Sequence, residues 1–521
     1  MKKVLALLLA LIMVLGLAAC AAKEAPAKTD DPAPADTTNT ETTEQTPADA
    51  IDTAESVTIK IWFHGSNVTP EASEKVMAEL NPYLNEKIGV TLDPIWGTWG
   101  DFDTSTVTAL AGGDDVDIYF TCNWSADEYN KYARDGYWVK LDDMLEKDAP
   151  ELLATIPEGI WECARTNGLD GMGIYAVPGL KDTATQNCWD VNGTLLAELG
   201  YDVDAVCAAG LDYYSDEYEE MLQKAKDAKG GDFYPLLIEP AVLERLVTHT
   251  SIVTGDLNGG NVLSYYYDAE HPSKDIGSTI VNKFATDEFK KFADRTYYYA
   301  QKGFISPSCQ STGDYLFCTQ SYAFGCELDF SKARGIDVRM VPATAAYMDC
   351  TSGQGAMMAI SATSKNPDKA LQFLNLLNTD PVVMTYVNYG VEGFTYNKND
   401  DGTITFIDDA RATYSPWTNG VGNVRILPPT SDQGADFWQR FSAYYDAAET
   451  LPYGGFIFDS SVCETEAAAL ANVWAEYAFN LMSGAVNPDD VLPEFLSKLE
   501  AAGINTFVDA ANEQMNAYLA G

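Results

Sequence analysis

The first hundred residues after an apolar leader show a change of hydrophobic period that sets the fold class. Ser56 to His64 alternates, with Val57, Ile59, Ile61 and Phe63 on one face and Lys60 and Trp62 on the other, the period of a strand. Pro70 to Asn85 shifts to helical spacing through Val76, Leu80 and Leu84. Val90 to Ile95 alternates again, Asp101 to Leu110 reads as a helix closed by Ala111-Gly112-Gly113, and Val116 to Phe120 is a short buried strand. Strand, helix, strand, helix, strand predicts an α/β sheet with crossover helices. Ligands of such sheets sit at the carboxyl ends of the strands, here His64-Gly65-Ser66, Trp96-Gly97-Thr98-Trp99 and Cys122-Asn123-Trp124. Further on, Glu217 to Lys229, Asp287 to Gln301, Asp368 to Leu377, Glu464 to Leu481, Pro488 to Ala502 and Val508 to Leu519 read as helices, and no internal repeat is present.

Two segments at the start fall outside this pattern. Met1-Lys2-Lys3 precedes an apolar run from Val4 to Leu17, shorter than the roughly 20 residues of a spanning helix. Leu17-Ala18-Ala19-Cys20 follows and resembles a bacterial lipoprotein box, so residues 1–20 are expected to be a signal peptide with Cys20 as the site of lipid attachment. An ordinary secretory signal with a chance cysteine is the competing reading. Residues 21–56 are Ala, Pro, Thr, Asp and Glu with almost no large apolar side chain, the composition of a disordered tether. The folded body is expected from Val57 and outside the cell.

Composition narrows the function classes. The 521 residues hold 33 Lys+Arg against 77 Asp+Glu, a net charge of −44, while 46% of residues are hydrophobic. Such a charge argues against nucleic acid, because each phosphate contact needs a cation, and against lying flat on an anionic bilayer. Three widely spaced histidines (His64, His249, His271) argue against a His-rich metal site or His-based catalysis. Nine cysteines remain beyond Cys20, without a CxxC. Buried thiols acting as small hydrophobes fit this spacing better than a full disulfide framework, and no pairing follows from it. No dinucleotide, P-loop, zincin or nucleophile-elbow motif occurs, so neither cofactor nor catalytic residue is expected. Asn397 to Asp408 has oxygen donors at calcium-loop spacing, but its flanks alternate like strands and Asp401-Gly402 is a turn signal, so a hairpin fits better than a calcium site. Glu327 and Asp329, read as alternate residues of a strand, would face one side as acceptors for hydroxyls, or would form a solvated loop end.

Several segments in order resemble the extracellular solute-binding proteins of bacterial ABC importers, in the broad maltose-binding-protein-like group. They are Trp99-Gly-Asp-Phe102 with Leu110-Ala-Gly-Gly-Asp-Asp-Val-Asp-Ile118, Asp135-Gly-Tyr-Trp-Val-Lys-Leu-Asp-Asp143, Gly173-Ile-Tyr-Ala-Val-Pro178, Asn366-Pro-Asp-Lys-Ala-Leu-Gln-Phe-Leu374 and Tyr389-Gly-Val-Glu-Gly-Phe-Thr-Tyr396. From Pro452 through Gly503 the chain is similar to the C-terminal helical module of a lipoprotein subgroup. Cys188 and the Cys309 to Cys326 cluster depart from the pattern. The resemblance implies an α/β, two-lobed, type II periplasmic-binding-protein-like fold with a multi-strand hinge and extra C-terminal helices. It places lobe 1 at 57–177 plus 342–390 and lobe 2 at 178–341 plus 391–521. It also implies delivery of a captured solute to ABC permease subunits by a lipid-anchored, monomeric protein on the extracellular face of the membrane.

Aromatic rings present flat, electron-rich faces to the C–H faces of sugars. Trp96, Trp99 and Trp124 at strand ends, with Trp189 and Trp417 from the far side, are the candidate platforms; Trp138 and Trp474 read as core. His64, Asp101, Asn123, Glu327 and Asp329 are candidate hydrogen-bonding residues, with Asn187 and Asn419 weaker. The expectation is an oligosaccharide receptor. A peptide or other small polar solute, a surface glycosidase and a ligand-free structural lipoprotein are the alternatives.

Overall fold

A computed structural model describes residues 56–520 apart from 126–127, 254–260, 307–308 and 310–313. The expected signal peptide, Cys20 and all but the last residue of the expected tether lie outside the described residues. Among the described residues, no helix is long and apolar enough to cross a membrane.

The predicted opening elements are present. Val57–Phe63 (β1) buries Ile59, Ile61 and Phe63 at 2% exposure or less. Helix Pro70–Ile88 (α1) follows: Thr69 Oγ1 accepts from the Ala72 amide, Pro70 occupies the first turn, and left-handed Gly89 donates to the Asn85 carbonyl and stops it. Val90–Trp96 (β2), Phe102–Gly112 (α2) and Ile118–Thr121 (β3) complete the alternation. Val177–Pro178 (β4) closes this half. A second sheet then draws on Asn187–Asn192 (β5), Leu236–Leu237 (β6), Phe317–Ser321 (β7) and Val338–Pro342 (β8), with helix Cys326–Arg334 (α3) between the last two. The chain returns as Met357–Ile360 (β9) and helices Pro367–Thr379 (α4) and Pro381–Tyr389 (α5). The first sheet runs β2-β1-β3-β9-β4, with β2, β1 and β3 parallel and β9 antiparallel to both its neighbours. The second runs β8-β5-β7-β6, with β5 antiparallel to β7 and β8.

Each sheet has its own apolar core. The first gathers residues from Ile59 to Ala184 and Ala356 to Tyr445; the second gathers Trp189 to Tyr347 and Leu451 to Met515. This differs from the expected assignment of 391–521 to the second lobe. Residues 391–445 pack on the first core because Tyr396, Ile404, Tyr414, Val424 and Phe437 all bury there. The hairpin Tyr396–Lys398 (β10) with Ile404–Phe406 (β11) lies in this stretch. Its Asp401 carboxylate accepts from the Thr403 amide and hydroxyl, so the string that resembled a calcium loop is the turn of a hairpin. Helix Phe437–Asp446 (α6) follows. Glu464–Met482 (α7), Pro488–Ala501 (α8) and Ile504–Leu519 (α9) finish on the second core, the last starting four residues before its predicted Val508.

The chain therefore passes between cores three times, through 178–187, 342–357 and 445–451. The passages are hydrogen-bonded side by side. Thr185 and Tyr347 exchange backbone bonds at 2.7 and 2.9 Å, and the Glu449 and Leu451 amides donate to Ala346 and Met348 at 3.1 and 2.9 Å. The first passage is also pinned by the Leu180 amide on the Gly422 carbonyl at 3.0 Å. Gly422 sits at φ 64, where a β-carbon would meet the Leu377 carbonyl at 2.7 Å and the Met384 sulfur at 2.9 Å. Gly422→Ala is expected to cost about 2–4 kcal/mol, from strained backbone and overpacking together, read as a shift of the denaturant unfolding midpoint.

Candidate functional site

The carboxyl ends of β1 and β3, and the loop after β2, converge on one aromatic cluster. β1 ends at Phe63, and the next residue, His64, is 5% exposed with its ring centroid 3.4 Å from Phe102, 4.5 Å from Trp99, 5.0 Å from Phe120, 5.6 Å from Trp417 and 5.8 Å from Trp124. Gly65 follows at φ 63, and a β-carbon there would lie 2.6 Å from Trp99, so glycine lets the indole rest on the backbone. Trp99 stacks near-parallel on Trp124 at 6.4 Å and meets Trp417 edge-on at 5.0 Å. Trp124 is steered by its indole N–H, which donates to the Gly355 carbonyl at 2.7 Å. Despite this packing, Trp99 and Trp124 remain 59% and 47% exposed. Two adjoining exposed rings form a contiguous apolar patch, the kind that marks an interaction site.

The cluster borders a cleft of about 740 Å³ between the two cores, within the range of small-molecule sites. The first-core side contributes Trp99, Trp417, Tyr389, Phe406 and the segment Thr430–Gln433; the second-sheet side contributes Ala323–Gly325, Asp329 and Lys332. The sides touch where the Phe324 amide donates to the Tyr445 hydroxyl at 3.1 Å and Tyr444 donates to Gln186 at 2.6 Å. A second recess of about 730 Å³ lies over Trp189, Tyr213 and Tyr218. Those rings are at most 2% exposed and stack on one another, so their faces are already used in packing.

Of the residues anticipated, His64, Trp99, Trp124 and Trp417 come together, and Asp329 lines the same cleft. Trp189 does not: it is 1% exposed in the second core, because β5 turns it toward Tyr213 and Tyr218. Trp96 also faces inward, stacking on Phe63 at 4.6 Å and donating to the Ser73 hydroxyl at 2.9 Å. Asp101 is exposed and closes a turn, accepting from the Thr98 amide at 3.0 Å and hydroxyl at 2.5 Å. Asn123 is half-buried, and its amide donates to the Gln354 carbonyl. Asn187 is buried in β5, away from the cleft wall. Glu327 and Asp329 do not share a strand face. They lie in the first turn of α3, where a two-residue step rotates side chains by about 200°, and Glu327 joins a separate recess with Cys188 and Tyr322. Trp138 is buried in the first core and Trp474 packs against the second, as expected. Cys188, Cys318 and Cys326 are free thiols, raised by burial in each case. Sequence reasoning missed Tyr389, Phe406, Asp432 and the face of α6 carrying Phe437, Trp438 and Phe441. The aromatic density of Phe437-Trp438-Gln-Arg-Phe441-Ser-Ala-Tyr444-Tyr445 was the available signal.

The electrostatics are uneven. Among the described residues, neither His64 nitrogen has a hydrogen-bond partner. Burial lowers this histidine to about 4, against a smaller opposing pull from Asp103, so the ring is neutral. Arg411 is held under the cleft: its guanidinium donates to the Asn388 and Tyr414 carbonyls at 2.8 Å and lies 4.5 Å from the Phe406 ring. Asp329 is raised by desolvation first and by repulsion from Asp432 second, with Lys332 opposing.

Two α/β lobes, three paired crossings and an aromatic-lined cleft define a solute-binding fold of the two-lobed type II kind. Over 483 residues the chain is 25% identical to a carbohydrate ABC transporter substrate-binding protein of Streptococcus pneumoniae, spanning 90% of this chain and 92% of that one. The fold matches the crystal structure of the N-glycan transport solute binding protein of S. pneumoniae with a TM-score of 0.73 at 24% identity, over 89% of this chain and 99% of that one. It matches that protein in complex with Man5GlcNAc with a TM-score of 0.67 at 23% identity, over 89% and 98%. An HMO binding, ABC-transporter associated solute binding protein of Bifidobacterium longum infantis matches with a TM-score of 0.58 at 15% identity, over 89% and 99%. Residues 452–520 match a domain of unknown function, DUF3502. The resemblance read from the motifs holds: the chain is related to extracellular solute-binding proteins of ABC importers.

Two outcomes follow from the ring placement. Trp189→Ala is expected to cost about 3–5 kcal/mol, as a large core ring does, whereas Trp99→Ala should change stability by less than about 1 kcal/mol, since most of its ring is already in water; thermal or denaturant unfolding of the two variants checks this. For His64 the folded value lies below the ordinary 6.5, so the unfolded chain takes up the proton first. The stability held in its neutral form is complete above about pH 6.5 and is lost as pH falls from there through about 4. His64→Phe should keep the fold and show a smaller drop in melting temperature between pH 7 and pH 4.5 than the parent chain.

Proposed function

We propose that this chain is an extracellular, lipid-anchored solute-binding protein that captures an oligosaccharide in the cleft between its lobes and hands it intact to the permease of an ABC importer. The observation that carries this reading is the cluster of Trp99, Trp124 and Trp417 packed over an imidazole unpartnered among the described residues, with Trp99 and Trp124 left with wide ring faces in water. A sugar offers such faces its C–H surfaces and offers the surrounding Asp and Thr side chains its hydroxyls. The names of the relatives, carbohydrate and N-glycan binding proteins, support the same class of ligand. Closure would turn on the three paired crossings, shifting a population from open to closed forms when ligand bridges the lobes. The lobe boundaries in this reading follow the two cores, with 391–445 moving with the first. Cys20 would carry the lipid and residues 21–56 would tether a monomeric receptor above the bilayer.

No reaction is assigned to the site. Glu327 and Asp329 point into different recesses, which supports a binder over a glycosidase. A peptide or other small polar solute on the same scaffold is the competing occupant.

Calorimetry of the full chain against plant, host and bacterial oligosaccharides, with peptides as controls, tests the proposal. One glycan class should bind at micromolar Kd or tighter and be recovered unhydrolysed. Trp99→Ala should weaken it at least roughly tenfold, about 1.4 kcal/mol. Binding of peptides alone would replace the ligand class, and cleavage of a glycan would replace the function.

A further inference from the structure

The charges lining the cleft bear on which oligosaccharides it accepts. They comprise four carboxylates, Asp182, Asp329, Asp408 and Asp432, and two cations, Lys332 and Arg411. Arg411 is committed to two backbone carbonyls and the Phe406 ring. Asp182 is matched by its neighbour Lys181. That leaves Asp329 on the second-lobe wall and Asp408 and Asp432 on the first-core side lining one cleft, with Lys332 the remaining cation. Burial raises Asp329 first, and of the two it is Asp432 whose charge raises it further. A carboxylate accepts two sugar hydroxyls well and repels a second anion brought beside it. The chain's net charge of −44 adds a field of the same sign.

We propose that the cleft takes neutral oligosaccharides and rejects glycans bearing a carboxylate, with Asp329 and Asp432 as the discriminating pair. The inference rests on the oligosaccharide reading given above. Aromatic faces alone do not distinguish a hexose from its uronic acid, since both present the same C–H surface. Discrimination has to come from an unfavourable contact built against the wrong ligand, and two like charges facing across the cleft supply one.

The test uses the full chain and matched probes: mannopentaose, cellopentaose and lacto-N-neotetraose, each with its terminal primary alcohol oxidised to the carboxylate, and the methyl ester of each acid. Tryptophan fluorescence and calorimetry give the affinities. For any probe that binds, alcohol and ester should agree within threefold and the acid should be at least tenfold weaker. In the D329N/D432N double variant, the acid-to-ester gap should fall to threefold or less. Because the comparison is a ratio within one protein, a general loss of affinity does not mimic it. An acid that binds as well as its ester overturns the proposal, and so does a gap unchanged by the two asparagines. If no probe binds and the peptide controls do, the oligosaccharide reading itself fails and this inference goes with it.

Discussion

The structure depends on a topological constraint: two apolar cores that do not merge must share one chain, which therefore crosses between them three times. Each crossing is a stretch of backbone whose N–H and C=O groups need partners away from either sheet. They find them in one another, through Thr185 with Tyr347 and through Ala346 and Met348 with Glu449 and Leu451. The result is a small ribbon holding three passages in register. It sets three paired stretches of backbone side by side between the lobes, the kind of element a hinge is built from. Tyr347, in the central passage, is buried in the second core against Tyr267, while Leu180 in the first passage is pinned to Gly422 beside the first. The ribbon is thus anchored at both ends by packing and is not a free linker.

The aromatic cluster stands at the mouth of this arrangement because the parallel strands β1 and β3, and the loop after β2, deliver their carboxyl ends there. Its centre is a violation of ordinary polar satisfaction: a buried histidine with no partner for either nitrogen among the described residues. Leaving such a group unpaired costs about 1–3 kcal/mol, and five surrounding rings offset that only by treating the imidazole as one more ring. Local rules are broken most often where function sets a competing demand. Here the demand is a fixed platform: His64 packs against Trp99, Trp124 and Trp417, with Trp99 and Trp124 near-parallel and exposed and Trp417 set edge-on to both.

How much of this could be read from the chain varies with the range of the interaction. The alternation of Val57, Ile59, Ile61 and Phe63 and the four-residue spacing of Val76, Leu80 and Leu84 are local, and the elements appear with shifts of a few residues. Strand ends follow from the elements, which is why Trp99, Trp124 and His64 were within reach. Side-chain direction at a strand end is not local. Trp96 and Trp189 sit in equally promising positions but are turned inward by Ser73 and Phe63 in one case and by Tyr213 and Tyr218 in the other. The assignment of 391–445 was beyond reach for a similar reason: which core receives Tyr396 or Phe437 is decided by partners some hundreds of residues away in sequence. Glu327 and Asp329 were misplaced because a four-residue window cannot separate a strand from the first turn of a helix that opens at Gly325.

The two walls of the cleft are chemically unlike, and this divides the work of recognition between them. The stacking surface, Trp99, Trp124 and Trp417, belongs wholly to the first-core side and is assembled whether or not the second lobe is near. The second lobe brings α3, which carries Asp329 and Lys332 but no exposed tryptophan. Ring-face contact, which any sugar can make, is therefore available to a ligand on arrival. The proposed charge pair takes Asp329 from α3 and Asp432 from the first-core side of the same cleft. In this reading the rings come from one lobe and the charge pair takes one carboxylate from each, so selectivity needs both walls. A ligand that stacks but carries the wrong charge gains the rings and opposes closure, so the hand-over to a permease would be limited to solutes that satisfy both walls.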